Sequence, residues 1–290
     1  MARLLILAPL RGVTIRCFRT AFAGPIRAAG FTEAVTPFIP AAAGYDPLKD
    51  RELGGGASAA VVPRPDLPVT PQFIGKDPAA LRVALERIKA AGYERADLNC
   101  GCPFPMVRNK GRGAGLLRTP DVLRRLLEVG CATMGDGNFS VKARLGVERP
   151  DELLRLMPLI NAFPLRFLAV HARTARQMYA GACDRAAFDA IRAAANVPLV
   201  ANGDLETADA VAGTVGTMVG RAFIRALGER DDIGELLDGY VAASAAELCG
   251  ERPVLGRLKE LLGYWKDSPR WRRRWQVAKM ARSLAEIRVW

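Results

Sequence analysis

Short apolar runs recur along this chain at spacings that leave room for a strand, a loop and a helix. That rhythm restricts the fold more than any single motif does. The runs that read as strands are Leu4–Ala8, Phe31–Val35, Val69–Ile74, Ala96–Asn99, Phe139–Lys142, Phe167–His171, Pro198–Ala201 and Thr217–Val219. Eight such units predict an α/β chain folded as a (β/α)8 TIM barrel. Helix starts fall where the rhythm needs them. Asp77-Pro78 offers an N-cap and a proline at the first helical position, followed by the stripe Leu81, Leu85, Ile88. Thr119-Pro120-Asp121 reads the same way, with Leu123, Leu126 and Leu127 behind it, and Pro150-Asp151-Glu152 opens a third helix.

The Gly/Ala/Pro-rich segment between Ala41 and Pro68, with Gly54-Gly55-Gly56 inside it, reads as a long mobile loop between strands two and three. The βα rhythm stops near residue 228, and from Asp231 onward the chain is helical and increasingly basic. The expected organisation is a barrel over 1–228 and a small all-helical domain over 229–290.

A chain of 290 residues, half of them hydrophobic, can bury a core of that size. No apolar run approaches the roughly 20 residues a membrane span needs. The apolar stretch after Met1 is too short for a signal peptide and lacks a cleavage site, so it reads as the first strand of a cytoplasmic protein that meets no membrane. Six cysteines without a C-x-x-C pair argue against a disulfide framework, and His171 as the lone histidine argues against a metal site. The net charge of +12, from 42 Lys and Arg against 30 Asp and Glu, bears on partners rather than on fold. Arginine outnumbers lysine, which suits phosphate recognition. A GC-rich genome would give the same excess, and composition leaves the two readings even.

In a TIM barrel, chemistry sits at the C-terminal ends of the strands. The polar residues of this chain fall there. Strand one ends in Ala8-Pro9-Leu10-Arg11-Gly12, and Gln72 lies in strand three. Asn99 and the turn Cys100-Gly101-Cys102-Pro103 follow strand four, Lys142 closes strand five, and His171-Ala172-Arg173-Thr174 closes strand six. Asn202-Gly203-Asp204 closes strand seven, and Gly220-Arg221 closes strand eight. A lysine in an apolar strand is costly unless it is paired or used. Gly203, Gly220 and Arg221 follow strands seven and eight, where barrels build a phosphate site from backbone N–H groups, which predicts a phosphate-bearing cofactor. Taken singly, His171 reads as a satisfied core histidine and Lys142 as one half of a rim ion pair. Their arrival at successive strand ends favours a site.

These stretches carry a resemblance. Leu7-Ala8-Pro9-Leu10-Arg11-Gly12-Val13, Thr32-Glu33, Gln72-Phe73-Ile74-Gly75, Asp97-Leu98-Asn99-Cys100-Gly101-Cys102-Pro103, Lys142-Ala143-Arg144-Leu145-Gly146, Val170-His171-Ala172-Arg173-Thr174, Val200-Ala201-Asn202-Gly203-Asp204 and Val219-Gly220-Arg221, in this order, resemble the tRNA-dihydrouridine synthases. Asn-Cys-Gly-Cys-Pro resembles the bacterial C-type subgroup, which favours uridine position 16. The resemblance implies a flavin-dependent barrel that binds FMN, takes electrons from NADPH and reduces the C5–C6 double bond of a D-loop uridine in tRNA. It implies Cys102 as the acid that protonates C5, which suits a thiol of pKa near 8.5, and leaves Cys100 as a packing residue. It implies cofactor contacts from Pro9, Leu10, Gln72, Lys142, His171, Asn202, Gly203, Asp204, Gly220 and Arg221. It implies Asn99 and Arg173 as contacts to a flipped base. A monomer is the plain expectation.

Two segments depart from the family pattern. Tyr179-Ala180-Gly181-Ala182-Cys183-Asp184-Arg185 stands where relatives usually carry an Asp-Trp pair, and the helical tail is shorter than usual. That tail interleaves Arg270, Arg272, Arg273 and Arg274 with Trp271 and Trp275, with Lys279, Arg282 and Arg288 beyond. The expectation is that the tryptophans pack a small core and that Arg272, Arg273 and Arg274 meet RNA. The same chemistry on ribosomal RNA, an FMN barrel acting on a small molecule, and a non-catalytic RNA-binding barrel are the alternatives. The charge and the Arg/Trp tail argue against the small molecule, and an intact Cys102, Lys142 and His171 argue against the last.

Overall fold

The computed structural model describes residues 3–54 and 67–287. Its strands are β1 (Leu4–Leu7), β2 (Glu33–Val35), β3 (Ile39–Pro40), β4 (Val69–Thr70), β5 (Gln72–Ile74), β6 (Ala96–Cys100), β7 (Phe139–Gly146), β8 (Leu168–Thr174), β9 (Leu199–Asn202) and β10 (Gly216–Val219). All pair in parallel in one sheet of order β3-β5-β6-β7-β8-β9-β10-β1-β2-β4. β4 and β5 are separated only by Pro71, so the two ends of that order meet and the sheet closes into a TIM barrel. The run Val69–Ile74, expected as one strand, is two because proline has no N–H to give a ladder. Val69 and Thr70 register on β2, whereas Gln72 and Phe73 register on β6.

Three further strands differ by more than a residue from the sequence expectation. β7 and β8 run past Lys142 and His171 to Gly146 and Thr174, because Ala143↔Val170 and Arg144↔His171 continue the ladder. Polar residues ended the apolar runs there, but they sit on the inward face, while Val141, Ala143, Leu145, Leu168, Val170 and Ala172 keep facing the helices. β2 is shorter than Phe31–Val35, since Phe31 leaves the ladder and packs edge-on against Phe223 at 4.8 Å.

The helices follow their local signals with one exception. Asp77 caps the helix Pro78–Ala90 by accepting from the N–H of Ala79 at 2.9 Å, and Leu81, Leu85 and Ile88 are buried. Thr119 precedes the helix Pro120–Met134 but does not cap it, because its hydroxyl donates to the carbonyl of Leu116. The expected loop after β3 contains 3-10 turns at Pro47–Lys49 and Arg51–Leu53, and Glu52 pairs with Arg19 at 2.8 Å. The rest of that loop, residues 55–66, lies outside the described residues, as does Arg288.

The barrel interior is filled by Ile6, Ala8, Val35, Phe167, Ala169, Val200 and Met218, with a larger apolar layer between strands and helices. That outer layer runs without a break into the C-terminal helices. The helix Ile233–Glu247 lies on Arg16–Ala21, where Phe18 meets Tyr240 edge-on at 6.2 Å and Arg16 pairs with Glu247 at 3.0 Å. Trp265 and Trp271 are each 1% exposed, and their indole N–H groups donate to the carbonyls of Ile224 and Gly228 at 2.6 and 2.7 Å. Buried indoles with satisfied N–H groups are strong anchors. Trp265 and Trp271 are therefore core, Trp275 is half-buried, and Arg272 and Arg273 remain exposed.

Candidate active site at the strand ends

Alternation along parallel strands puts Gln72, Asn99, Lys142, Arg144, His171 and Asn202 on the inward face, and the register brings them side by side. Asn99 stands opposite Lys142, Arg144 opposite His171, and His171 opposite Asn202. They open into one cleft of about 930 Å3, counting the space open to solvent. Ala8, Pro9, Leu10 and Met218 form an apolar strip along it, and Cys102, Gly203, Asp204, Gly220 and Arg221 also line it.

The polar groups form a connected network. Ser140 and Gln72 donate to the two oxygens of Asp97 at 2.6 and 2.8 Å. Asn99 donates to the Gln72 carbonyl at 2.7 Å, and its own oxygen accepts from the N–H groups of Gly101 and Cys102 at 3.1 and 2.8 Å. Asn99 thereby fixes the turn that presents Cys102. Gly113 packs on the other side of that turn at φ +57, where an added Cβ would sit 2.7 Å from the Cβ of Cys102. Burial pushes the Cys102 thiol up, outweighing a hydrogen bond from Phe104 and the charges of Arg11 and Arg144, so it holds its proton at neutral pH. Cys100 points the other way, into the outer core, where burial raises its thiol strongly.

Lys142 donates to Asn202 at 2.9 Å, and Asn202 donates to the carbonyl of Met218 at 2.7 Å. Burial and the charge of Arg144 push the Lys142 amine down to about 8, against the pull of Asp97. Burial, then the charges of Arg144, Lys142, Arg173 and Arg221, hold His171 well below its usual value, so it is neutral at pH 7. Arg173 donates to His171 Nε2 at 3.2 Å, and because arginine can only donate, the proton of His171 is assigned to Nδ1.

Arg173 does not line the cleft. It is 2% exposed and is held by the carbonyl of Gly181, by Asp204 and by Cys183. Asp204, in the left-handed region at φ 49, also accepts from Arg221 at 2.7 Å. Burial would raise its carboxyl, but Arg173 and Arg221 outweigh it and hold the group below its usual range. Arg272, Arg273 and Arg274 stand apart from the cleft on the helix Arg272–Met280, where Arg274 stacks on Trp271 at 5.3 Å.

Three contributors had no role in the sequence expectation. Arg144 lines the cleft and donates to the carbonyls of Gly101, Thr174 and Met178 at 3.0, 3.0 and 2.6 Å. Its signal was present as the i,i+2 spacing from Lys142. Asp97 carried a similar signal, a carboxylate on the same strand face as Asn99, and burial raises it to about 6 despite Ser140 and Gln72. Tyr179, within the departing segment, stacks against Arg221 and Arg144 at 4.7 and 5.3 Å, and no spacing rule could have found it.

The closed barrel with its polar network at the strand ends defines a strand-end site of the kind TIM-barrel enzymes carry. The family model described as dihydrouridine synthase (Dus) matches residues 6–226. This chain belongs to the dihydrouridine synthase family. It is 36% identical over 163 residues to a probable tRNA-dihydrouridine synthase of Rhodobacter capsulatus, covering 53% of this chain and 50% of that protein. It is 30% identical over 208 residues to tRNA-dihydrouridine synthase B of Pseudomonas aeruginosa, covering 70% and 58%. It is 33% identical over 162 residues to the tRNA-dihydrouridine(16) synthase of Salmonella typhimurium, covering 53% and 52%. The matches span about half the length of these relatives. Among solved structures, the old yellow enzyme homologue from Zymomonas mobilis superposes with a TM-score of 0.55 at 13% identity, over 76% of this chain and 85% of that one. Morphinone reductase superposes with a TM-score of 0.54 at 12% identity, over 77% and 83%. These likenesses establish the barrel fold.

Proposed function

We propose that this chain reduces the C5–C6 double bond of a D-loop uridine in tRNA to dihydrouridine, in the cytoplasm and as a monomer, with FMN as bound group, NADPH as reductant and Cys102 as proton donor. The observation that carries the reading is a buried, protonated thiol on a braced turn, opening into a cleft with an apolar strip and a cationic wall. The chemistry that FMN supplies when bound is delivery of a hydride to C6 of the base.

The donor set of the cleft fits such a group. The strip of Ala8, Pro9, Leu10 and Met218 suits a flat ring, and Lys142 and Gln72, which line the same cleft, would meet its polar edge. Arg221, with Gly203 and Gly220 beside it, suits a phosphate, and the Arg221–Asp204 pair holds that guanidinium in place. Asn202 suits the sugar-alcohol arm, and neutral His171 offers a hydrogen bond without adding charge. Lys142, still largely cationic at pH 7, stabilises negative charge beside it.

Cys102 gives its Sγ proton to C5 and recovers it from solvent. Asn99 holds the Cys102 turn and meets the base that leaves its stack to enter the cleft. Arg173 acts on that base from behind, by orienting His171 and Asp204. Arg272, Arg273 and Arg274 meet the RNA backbone. The relative that acts at position 16 and the form of the Asn99–Pro103 motif favour that uridine.

The deciding experiment is mass spectrometry of tRNA and ribosomal RNA from a strain lacking the gene. Loss of one dihydrouridine from tRNA, mapped to position 16, is expected. Unchanged tRNA with a loss from ribosomal RNA would move the chemistry to that substrate, and no loss in either would end the reading. The purified protein is expected to be yellow.

A further inference from the structure

The cations around the cleft are almost all committed. Lys142 is held by Asn202, Arg144 by three backbone carbonyls, Arg221 by Asp204, and Arg225 donates to the carbonyl of Arg221 at 3.4 Å. Arg11 differs. It is exposed, it lines the cleft on the side of Cys102, and its guanidinium stacks on Phe38 at 5.2 Å. Among the described residues its N–H groups have no acceptor.

The loop that carries Arg11 is nevertheless rigidly built. Thr14 Oγ1 accepts from the N–H of Leu10 at 2.7 Å and donates to the carbonyl of Ala8 at 2.9 Å, and the N–H of Val13 donates to the carbonyl of Leu10 at 3.0 Å. Gly12, at φ +85, lets the carboxylate of Glu260 come so close that an added Cβ would lie 2.2 Å from its oxygen. Helix Glu251–Leu262 thus clamps the loop from outside. Stacking on Phe38 pre-orders a side chain that is otherwise costly to immobilise. Phe104, 41% exposed, stands on the same rim beyond Cys102. The rim therefore offers two aromatic faces and one uncommitted, planar, five-donor cation beside the thiol.

We propose that Arg11 contacts a backbone phosphate of the polynucleotide next to the base that enters the cleft, and so positions that base over Cys102. The proposal rests on the RNA substrate inferred above. A guanidinium edge matches a phosphodiester, and its aromatic seat keeps it at the rim, where the strand passes, rather than in the floor. Arg221 is paired with Asp204 and stacked on Tyr179, whereas Arg11 is seated on Phe38 alone, so the two arginines are held by different partners.

The test uses full-length protein and a fluorescein-labelled, unmodified tRNA transcript. Anisotropy titrations over a range of salt compare the parent with Arg11→Gln and Arg11→Lys. The expected result for R11Q is roughly 5- to 10-fold weaker binding at low salt, with the slope of log affinity against log salt reduced by about one. R11K should recover most of the slope, since it keeps the charge. If the parent binds the transcript and R11Q binds it with the same affinity and slope, Arg11 is not a phosphate contact and this inference falls alone. If R11Q leaves tRNA binding intact but slows bleaching of the yellow chromophore by NADPH, the phosphate belongs to the dinucleotide and the inference is overturned. If the parent does not bind the transcript, the tRNA reading falls and takes this inference with it. Thermal melts of the variants confirm that each is folded.

Discussion

The strand-end cleft and the C-terminal helices treat charge in opposite ways. In the cleft, Asp97, Lys142, Arg144, His171 and Arg173 are drawn into the barrel, where burial and neighbouring charged groups shift their proton affinities. In the tail, apolar side chains do the packing and cations stay outside. Trp265 and Trp271 meet at 4.7 Å with their rings tilted by 43° in the core, while Arg272 and Arg273 face solvent. The first arrangement spends stability on a site, because buried charge costs unless fully paired. The second keeps stability and binding on separate residues. A substitution in the cleft should therefore move activity far more than stability, and one in the tail core the reverse.

The sharpest break would come at Cys102. Cys102→Ala is expected to keep the fold and the yellow colour but to lose about 10²–10⁴-fold in dihydrouridine formation, the range that one general acid supplies. Quantitative nucleoside mass spectrometry reads the product, and near-parental activity would remove the thiol from its role.

Next in size is the tail core. Trp271→Ala should cost about 3–5 kcal/mol of unfolding free energy, from lost burial and a lost partner for the Gly228 carbonyl. Denaturant melts measure it. Because Trp265 holds the helix Arg221–Leu227 through Ile224 and Trp271 holds Gly228 just after it, one cooperative transition is expected. Two separate transitions would mean that the tail folds apart from the barrel.

Lys142→Met tests the reverse side. It should slow turnover, by less than the Cys102 change does, while leaving stability at pH 7 unchanged or raised by about 1–3 kcal/mol, since a partly desolvated charge is removed. The native amine titrates at about 8 against an ordinary 10.5. Between those values the unfolded chain holds the proton and the native chain does not. The parent should therefore gain stability relative to the variant as pH rises through that window. Parental turnover should fall above about pH 8 as the charge is lost, and melts and rates across pH check both signs.

The smallest effect is expected on the tail surface. Replacing Arg272, Arg273 and Arg274 with alanine together should weaken tRNA binding about 10-fold. The salt slope should drop by roughly three, at about 0.9 per phosphate contact. Salt titration of tRNA binding decides it, and an unchanged slope would make this face purely structural.

Much of this was legible in the residues. Asp77 caps its helix by the rule its position states, and the strand ends hold the polar residues that period-two alternation placed there. Pro71, by contrast, carried a split that the apolar run concealed, and Thr119 lost its expected cap to a carbonyl close by. The family resemblance implied Arg173 as a contact to the base, yet tertiary packing turned it under Asp204. Tyr179 lies in an irregular segment, where no periodicity says which way a ring will point.

The sequence by itself determined the barrel, the tail, the strand ends that gather the polar residues and the thiol on its turn. Those follow from period, punctuation and residue type, which are local. Only the tertiary structure decided which cations are spent and which remain open, because pairing depends on distances between strands far apart in the chain. Arg144, Arg173 and Arg221 look alike in sequence to Arg11. Packing commits the first three to carbonyls and a carboxylate, and leaves the last on an aromatic ring at the rim.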